Sequence, residues 1–259
     1  MSDRILPFEG VENFRDYGDY PAGGGFTIAR GRLLRSAHHA RATDADLARF
    51  AGLEVEVLVD LRRRAERAAQ PNRLPPSFRG RIIESGDADA GEAPHVTFLR
   101  STDLTEESVR GFMVETYRGL AFEPRHVELF SRYFAALGQA EGAVLIHCAA
   151  GKDRTGILAA LTHALLGVHA DDLMADYLLT NEAARLDARA PEIAEVIART
   201  YGREPSLTAV RAFLGVEPSF LHAAFAEIEA RHGSVERYLD AVLGVGPDLR
   251  GRIADKLCG

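Results

Sequence analysis

The sequence predicts an α/β protein with a largely parallel central sheet flanked by helices and a helical C-terminal third. Three observations predict it. Short β-branched runs alternate with helical stretches over the first part of the chain. One run, Ala143-Val-Leu-Ile146, is wholly apolar and suits a strand buried on both faces. After it the text reads as helix after helix, without an internal repeat or a low-complexity tract.

Phe26-Thr-Ile-Ala29 and Leu33-Leu34 read as short strands separated by a turn at Arg30-Gly31. Thr43 is placed to cap a helix with Asp44 and Asp46 in its first turn, ending near Gly52. Val55-Glu-Val-Leu-Val-Asp60 follows as a strand. Arg62 to Ala69 reads as a helix stopped by Pro71, and Arg81-Ile-Ile83 as a further strand. From Ser85 to Thr105 the text is loop-like, with Gly86, Gly91 and Pro94. Thr105-Glu-Glu-Ser opens a helix whose apolar positions Val109, Phe112, Met113 and Tyr117 keep helical spacing. A second helix runs from about Pro124 to Leu137 and closes at Gly138. After the apolar strand come His147-Cys148, a loop, and a helix over Thr155 to Leu166 that is apolar nearly all round and therefore buried.

The chain has 259 residues, 46% hydrophobic and 27% charged, the balance of a globular protein large enough to bury a core without staples. Its two cysteines, Cys148 and Cys258, exclude a disulfide framework and a four-cysteine zinc site. A net charge of −7 argues against a nucleic-acid binder. The N-terminal residues lack the apolar core of a signal peptide and no run is long enough to span a membrane, so the expected location is the cytoplasm. Secretion by a route without a signal stays open. Of 31 basic residues only Lys152 and Lys256 are lysine, which makes the place of Lys152 notable.

The chemistry lies in His147-Cys-Ala-Ala-Gly-Lys-Asp-Arg-Thr-Gly156. A strand delivers a cysteine to the head of a loop, and six residues later an arginine stands at a helix start. The successive N–H groups of Ala149, Ala150, Gly151, Lys152, Asp153, Arg154 and Thr155, with the helix N-terminus, make a cradle for a tetrahedral oxyanion. Gly151 permits the backbone angles of such a nest. Arg154 closes it with a bidentate fork that lysine lacks. The same positive surroundings favour a thiolate at Cys148, a nucleophile aimed at phosphorus. Thr155 is placed to donate its hydroxyl to that sulfur. The pattern His-Cys-x-x-Gly-x-x-Arg-Thr-Gly, multiplied out from the chain's own composition, arises by chance at a given cysteine about once in a million.

This segment resembles the signature loop of the cysteine-dependent protein tyrosine phosphatase superfamily, and within it the bacterial tyrosine/lipid phosphatases. Asn13-Phe-Arg-Asp16, Leu34-Arg-Ser36, Asp60-Leu-Arg62, Asp176-Tyr-Leu-Leu-Thr-Asn181 and Gly233-Ser-Val-Glu-Arg-Tyr238 with Leu239 are similar to further short elements of that subfamily. The resemblance spans roughly residues 10 to 245, which favours a single phosphatase domain over 1–259. It implies hydrolysis of phosphomonoesters through a phosphocysteine at Cys148, with Arg154 and the loop amides on the equatorial oxygens and with neither metal nor cofactor. The substrates it implies are phosphotyrosine proteins, with phosphoserine, phosphothreonine or phosphoinositides beside them. Lys152 is similar to a lysine of phosphatases that accept phosphoinositides.

Many relatives protonate the leaving oxygen with an aspartate upstream of the cysteine, but no aspartate occurs between Leu104 and His147. The resemblance makes Asp153 the candidate acid, although a neighbouring Arg154 favours its ionised form. Asp60 is the reserve. His147 is expected to orient the loop through its ring, and Asp60 and Arg62 to brace it from a neighbouring strand end. Structural readings compete: Cys148 as a core cysteine, Arg154 paired with an acid such as Asp60, Asp153 as a helix N-terminal charge. The run Arg62-Arg-Arg64 with Arg67 reads as a solvated helix face. Residues 181–203 read as a pair of lid helices, as in the relatives, or as surface helices packed by Ile193, Val196 and Ile197. His38, His39, His163 and His169 have no metal spacing.

A catalytically silent phosphate-binding pseudophosphatase is the alternative function. A Walker loop fails on spacing, since Ile146 and Asp153 stand where glycine and Ser or Thr are required. The Arg-Thr-Gly after the loop argues against a rhodanese-like sulfur transferase.

Overall fold

The computed structural model describes residues 3–86 and 94–258. Its strands are β1 (Arg15–Asp16), β2 (Leu33–Ser36), β3 (Val55–Asp60), β4 (Arg81–Glu84) and β5 (Ala143–His147), in the order β1-β2-β5-β3-β4. Only the β1–β2 pair is antiparallel; β2, β5, β3 and β4 run parallel. The expected largely parallel sheet is what forms, with the all-apolar β5 at its centre. Alternate side chains enter different layers. Leu34, Leu58 and Leu145 pack with Phe8, Phe14 and Phe50 on one face. Leu33, Val57, Val59, Val144 and Ile146 face the larger core of the helices.

The helices up to β5 are α1 (Asp44–Ala51), α2 (Arg64–Ala69), α3 (Pro94–Ser101), α4 (Glu106–Leu120) and α5 (Pro124–Leu137). After it come α6 (Asp153–Leu165), α7 (Ala170–Leu178), α8 (Thr180–Ala183), α9 (Leu186–Tyr201), α10 (Leu207–Leu214), α11 (Pro218–His232), α12 (Val235–Ala241) and α13 (Pro247–Leu257). Their ends follow the local chemistry. Thr43 caps α1 in a reciprocal box with Asp46, and Thr105 accepts from the N–H of Ser108 at the start of α4. Prolines occupy the first turn of α5, α11 and α13, where a missing N–H costs nothing. No helix among the described residues is long and apolar enough to cross a membrane.

Four expectations differ from the structure. Phe26–Ala29 forms no strand; Thr27 and Ile28 make isolated bridges to Pro21 and Cys258, because the glycines before them turn the chain away from the sheet. The loop expected over Ser85–Thr105 contains α3, which buries Phe98 and Leu99; residues 87–93 lie outside the described residues. Residues 181–203 hold the end of α8 and one long helix, α9, with the next helix beyond them. In α9, Ile197 is buried but Val196 is 40% exposed.

Candidate active site

The parallel register places Ser36, His147 and Asp60 in one row at the carboxyl ends of β2, β5 and β3. That edge is where open parallel sheets receive ligands. The chain leaves β5 there, turns through residues 148–152, and enters α6. Cys148, at the head of the turn, is buried at 2% exposure. Gly151 has φ of +66°, and a Cβ there would stand 2.3 Å from the carbonyl oxygen of Ser36. A glycine is therefore required twice over, by backbone angle and by the approach of β2.

The peptide groups of the turn are sorted by direction. The carbonyl of Ala149 accepts from the N–H of His38 at 3.2 Å. Those of Ala150 and Gly151 accept from Asn13 Nδ2 at 3.1 and 2.8 Å, and Gly151 accepts again from Arg35 Nη2 at 3.0 Å. The carbonyl of Lys152 accepts from the N–H of Gly156. Among the described residues, by contrast, no group accepts a hydrogen bond from the N–H of Ala149, Ala150, Gly151 or Lys152. Unengaged successive amides at a helix start form a concave anion site.

Arg154, in the first turn of α6, is fixed by an acid that the sequence reading did not single out. Glu66 of α2 accepts from Nη1 at 2.6 Å and from Nη2 at 2.8 Å, and the carbonyl of Leu61 accepts from Nη1 at 3.2 Å. Of the five guanidinium N–H groups these bonds use three, so Nε–H and one Nη2–H remain for two oxygens of a ligand. The competing structural reading, that Arg154 pairs with an acid such as Asp60, holds for the acid but not for Asp60, which is engaged by Arg62. Burial raises the Glu66 carboxyl, but the Arg154 hydrogen bonds and charge outweigh it and hold the group at about 2. Burial lowers and the Glu66 bonds raise the Arg154 guanidinium, which ends well above its ordinary value. Glu66 left one trace in the sequence: it stands three residues after Arg63, where its carboxylate caps α2.

Asp60 binds Arg62 through both oxygens, Nε to Oδ1 at 2.9 Å and Nη2 to Oδ2 at 2.7 Å, and accepts from Asn72 Nδ2 at 3.1 Å. Burial works against its charge, but the charge and hydrogen bonds of Arg62 outweigh it and keep the carboxyl far below the ordinary carboxylate range. So held, it is unsuited to give a proton. Arg62 is buried and Arg67 donates to the carbonyls of Arg62 and Ser85, so this arginine run is not the expected solvated face. His147 Nδ1 lies 3.3 Å from the carbonyl of Cys148 and Nε2 lies 3.1 Å from Asn72 Nδ2. A neutral ring donating at Nδ1 and accepting at Nε2 satisfies both. Burial, the largest influence, lowers this imidazole and keeps it neutral.

Asp153 lies in the first turn of α6 and accepts from Tyr117 Oη at 2.9 Å; Tyr117 in turn accepts from Tyr177 Oη at 2.8 Å. Lys152 does not point into solvent. Its ammonium donates to the carbonyls of Phe213, in the last turn of α10, and of Gly215, just after it, and stands 3.6 Å from Asp153 Oδ1. Thr155 Oγ1 is buried and has no hydrogen-bond partner among the described residues, so the bond to Cys148 expected from the sequence is not formed. No group of three or more His, Cys, Asp or Glu among the described residues is placed to hold a metal ion.

A family profile described as the tyrosine phosphatase family matches residues 6–259. A Cupriavidus necator protein named as a tyrosine-protein phosphatase is 34% identical over 95% of this chain and 87% of its own length. The triple specificity protein phosphatase PtpB of Mycobacterium tuberculosis is 31% identical over 92% of this chain and 93% of its own. A tyrosine-protein phosphatase of Nostoc commune is 33% identical over 62% of this chain and 52% of its own.

Proposed function

Because the chain belongs to the tyrosine phosphatase family, we propose that it is a single-domain phosphomonoester hydrolase acting on phosphotyrosine proteins through a phosphocysteine at Cys148. The observation that carries the reading is the sorting of the turn: the carbonyls of residues 149–152 are all engaged, while among the described residues no group accepts from the N–H groups of residues 149–152.

In the first step Cys148 Sγ attacks phosphorus from the floor of the cradle while the bond to the leaving oxygen breaks. The free amides and the open edge of Arg154 hold the three equatorial oxygens, whose charge spreads as the transition state forms. Asp153 gives its proton to the leaving oxygen. In the second step water attacks phosphorus, its proton returns to Asp153, and the thiolate leaves with the electron pair of the P–S bond. Tyr117 holds the Asp153 carboxyl in place. The engagement of Asp60 by Arg62 supports Asp153 over Asp60 as the proton carrier.

The name of the Mycobacterium relative supports a range wider than phosphotyrosine, with phosphoserine and phosphothreonine proteins the next substrates. A phosphoinositide headgroup would first have to draw Lys152 away from the carbonyls it binds, which supports protein ahead of lipid as the substrate. The test is phosphate release by wild type and Cys148→Ser, with EDTA present, from phosphotyrosine and phosphoserine peptides and a phosphoinositide side by side. Turnover lost in the mutant is expected, fastest on phosphotyrosine. No release from any substrate by a folded, reduced wild type would reduce the protein to a phosphate binder.

A further inference from the structure

Behind the turn lies a buried cluster that the reaction above does not use. Arg15 of β1, Arg35 of β2 and Asp176 of α7 are each almost wholly inaccessible. Asp176 gives one oxygen to each arginine, Oδ1 to Arg15 Nε at 3.1 Å and Oδ2 to Arg35 Nη1 at 2.7 Å. Arg15 also donates to the Asp176 carbonyl, to Thr180 Oγ1, and through Nη1 to Asn13 Oδ1. Two cations thus share one anion, an expensive arrangement to bury unless it positions something. Both arms converge on the carbonyl of Gly151, and one of them also reaches that of Ala150. Arg35 reaches the carbonyl of Gly151, and Asn13, its Oδ1 fixed by Arg15, spends both hydrogens of its amide on the carbonyls of Ala150 and Gly151.

A trans peptide is planar, with its C=O and N–H pointing opposite ways. The carbonyl of Ala150 shares its peptide with the N–H of Gly151, and that of Gly151 with the N–H of Lys152. We propose that Asn13 and Arg35 are positioning residues for hydrolysis: by holding these two carbonyls behind the turn they aim the N–H groups of Gly151 and Lys152 at the bound phosphate. The inference rests on the phosphatase reading, but it concerns anion binding and can fail separately. Asn13 suits the task in its backbone as well. Its φ of +57° is one that asparagine adopts more readily than most side chains, and it turns the amide toward the loop ahead of β1.

The experiment replaces Asn13, because changing Asp176 would strand two buried cations and changing either arginine would leave a large buried gap in the cluster. Asn13→Gly keeps the positive φ at no cost and deletes the two donors. Asn13→Asp keeps the shape and turns the donor into an acceptor, and a carboxylate suits two neighbouring cations, so this variant decides if the glycine variant does not fold. Calorimetric affinity for inorganic phosphate and steady-state hydrolysis of p-nitrophenyl phosphate are measured well below each melting midpoint. We expect phosphate affinity to fall about tenfold and kcat/KM about 100-fold, the scale of a lost oxyanion donor. A folded variant that binds phosphate as wild type does overturns the proposal, whatever its melting temperature. If wild type binds phosphate but hydrolyses nothing, the enzyme reading fails, and the affinity ratio still decides the role of Asn13.

Discussion

Replacing Glu66 with glutamine tests how much the site depends on a fixed Arg154. Glutamine keeps the volume but offers one oxygen where Arg154 now finds two, at 2.6 and 2.8 Å from its terminal nitrogens. The amide nitrogen then faces a guanidinium N–H, donor against donor. Burial raises the Glu66 carboxyl, yet Arg154 brings it down from 4.5 to about 2. At about 1.36 kcal/mol per pH unit, that fall corresponds to about 3 kcal/mol of interaction. The folded value lies below the unfolded one. The contribution is therefore complete above about pH 4.5 and is lost as the pH falls toward 2.

The expected result at pH 7 is a loss of about 2–3 kcal/mol in urea unfolding, because Arg154 keeps its charge in a half-enclosed site with one partner bond gone. The stability gap between wild type and variant should narrow as the pH drops below about 4.5. A guanidinium freed to swing by an ångström misaligns its remaining fork, so kcat/KM on p-nitrophenyl phosphate should fall about 100-fold. A Glu66→Gln enzyme of reduced stability whose kcat/KM stays within about threefold of wild type would refute the coupling. It would leave Glu66 as a brace for α2 alone.

The proton carrier is read by leaving group. Asp153→Asn should lower kcat on an alkyl phosphate by about 100-fold or more, and far less on an aryl phosphate whose leaving group needs no proton; equal losses on both would remove Asp153 from the acid role. Tyr117→Phe should reproduce the same substrate bias more weakly, since it removes only the hydrogen bond that orients the carboxyl. The histidines set the acid limit of stability. Burial lowers His39, His126, His147 and His163, with His126 brought to about 4. These rings take up protons on unfolding, so their neutrality contributes stability above about pH 6.5 and its loss begins below that. The melting midpoint should be flat above pH 7 and fall steadily as the pH drops below 6.5; a midpoint at pH 5 equal to that at pH 7 would contradict the buried neutral rings.

What could be read from the sequence was what is local in the chain. The β5–turn–α6 unit is contiguous, so the cysteine, the glycine and the arginine of residues 147–156 stood in view together. The caps at Thr43 and Thr105 act within a single turn and were equally visible. The missed helix α3 had a local signal too, Pro94 in its first turn and Phe98-Leu99 on its buried face, but proline and glycine nearby read as loop. Glu66 is a different case. It acts on Arg154 from 88 positions away, and no spacing rule links α2 to α6. The same holds for Asn13, Arg35 and Asp176. Each was noticed as a fragment of a short resemblance, yet their meeting depends on β2 lying beside β5 and on the return of α7 behind the turn. The chemistry was therefore legible and its support was not. Groups that touch the anion must come in sequence to form a nest, whereas groups that hold the nest in shape need only converge in space. The variants that separate binding from folding accordingly lie at Glu66 and Asn13, outside the motif.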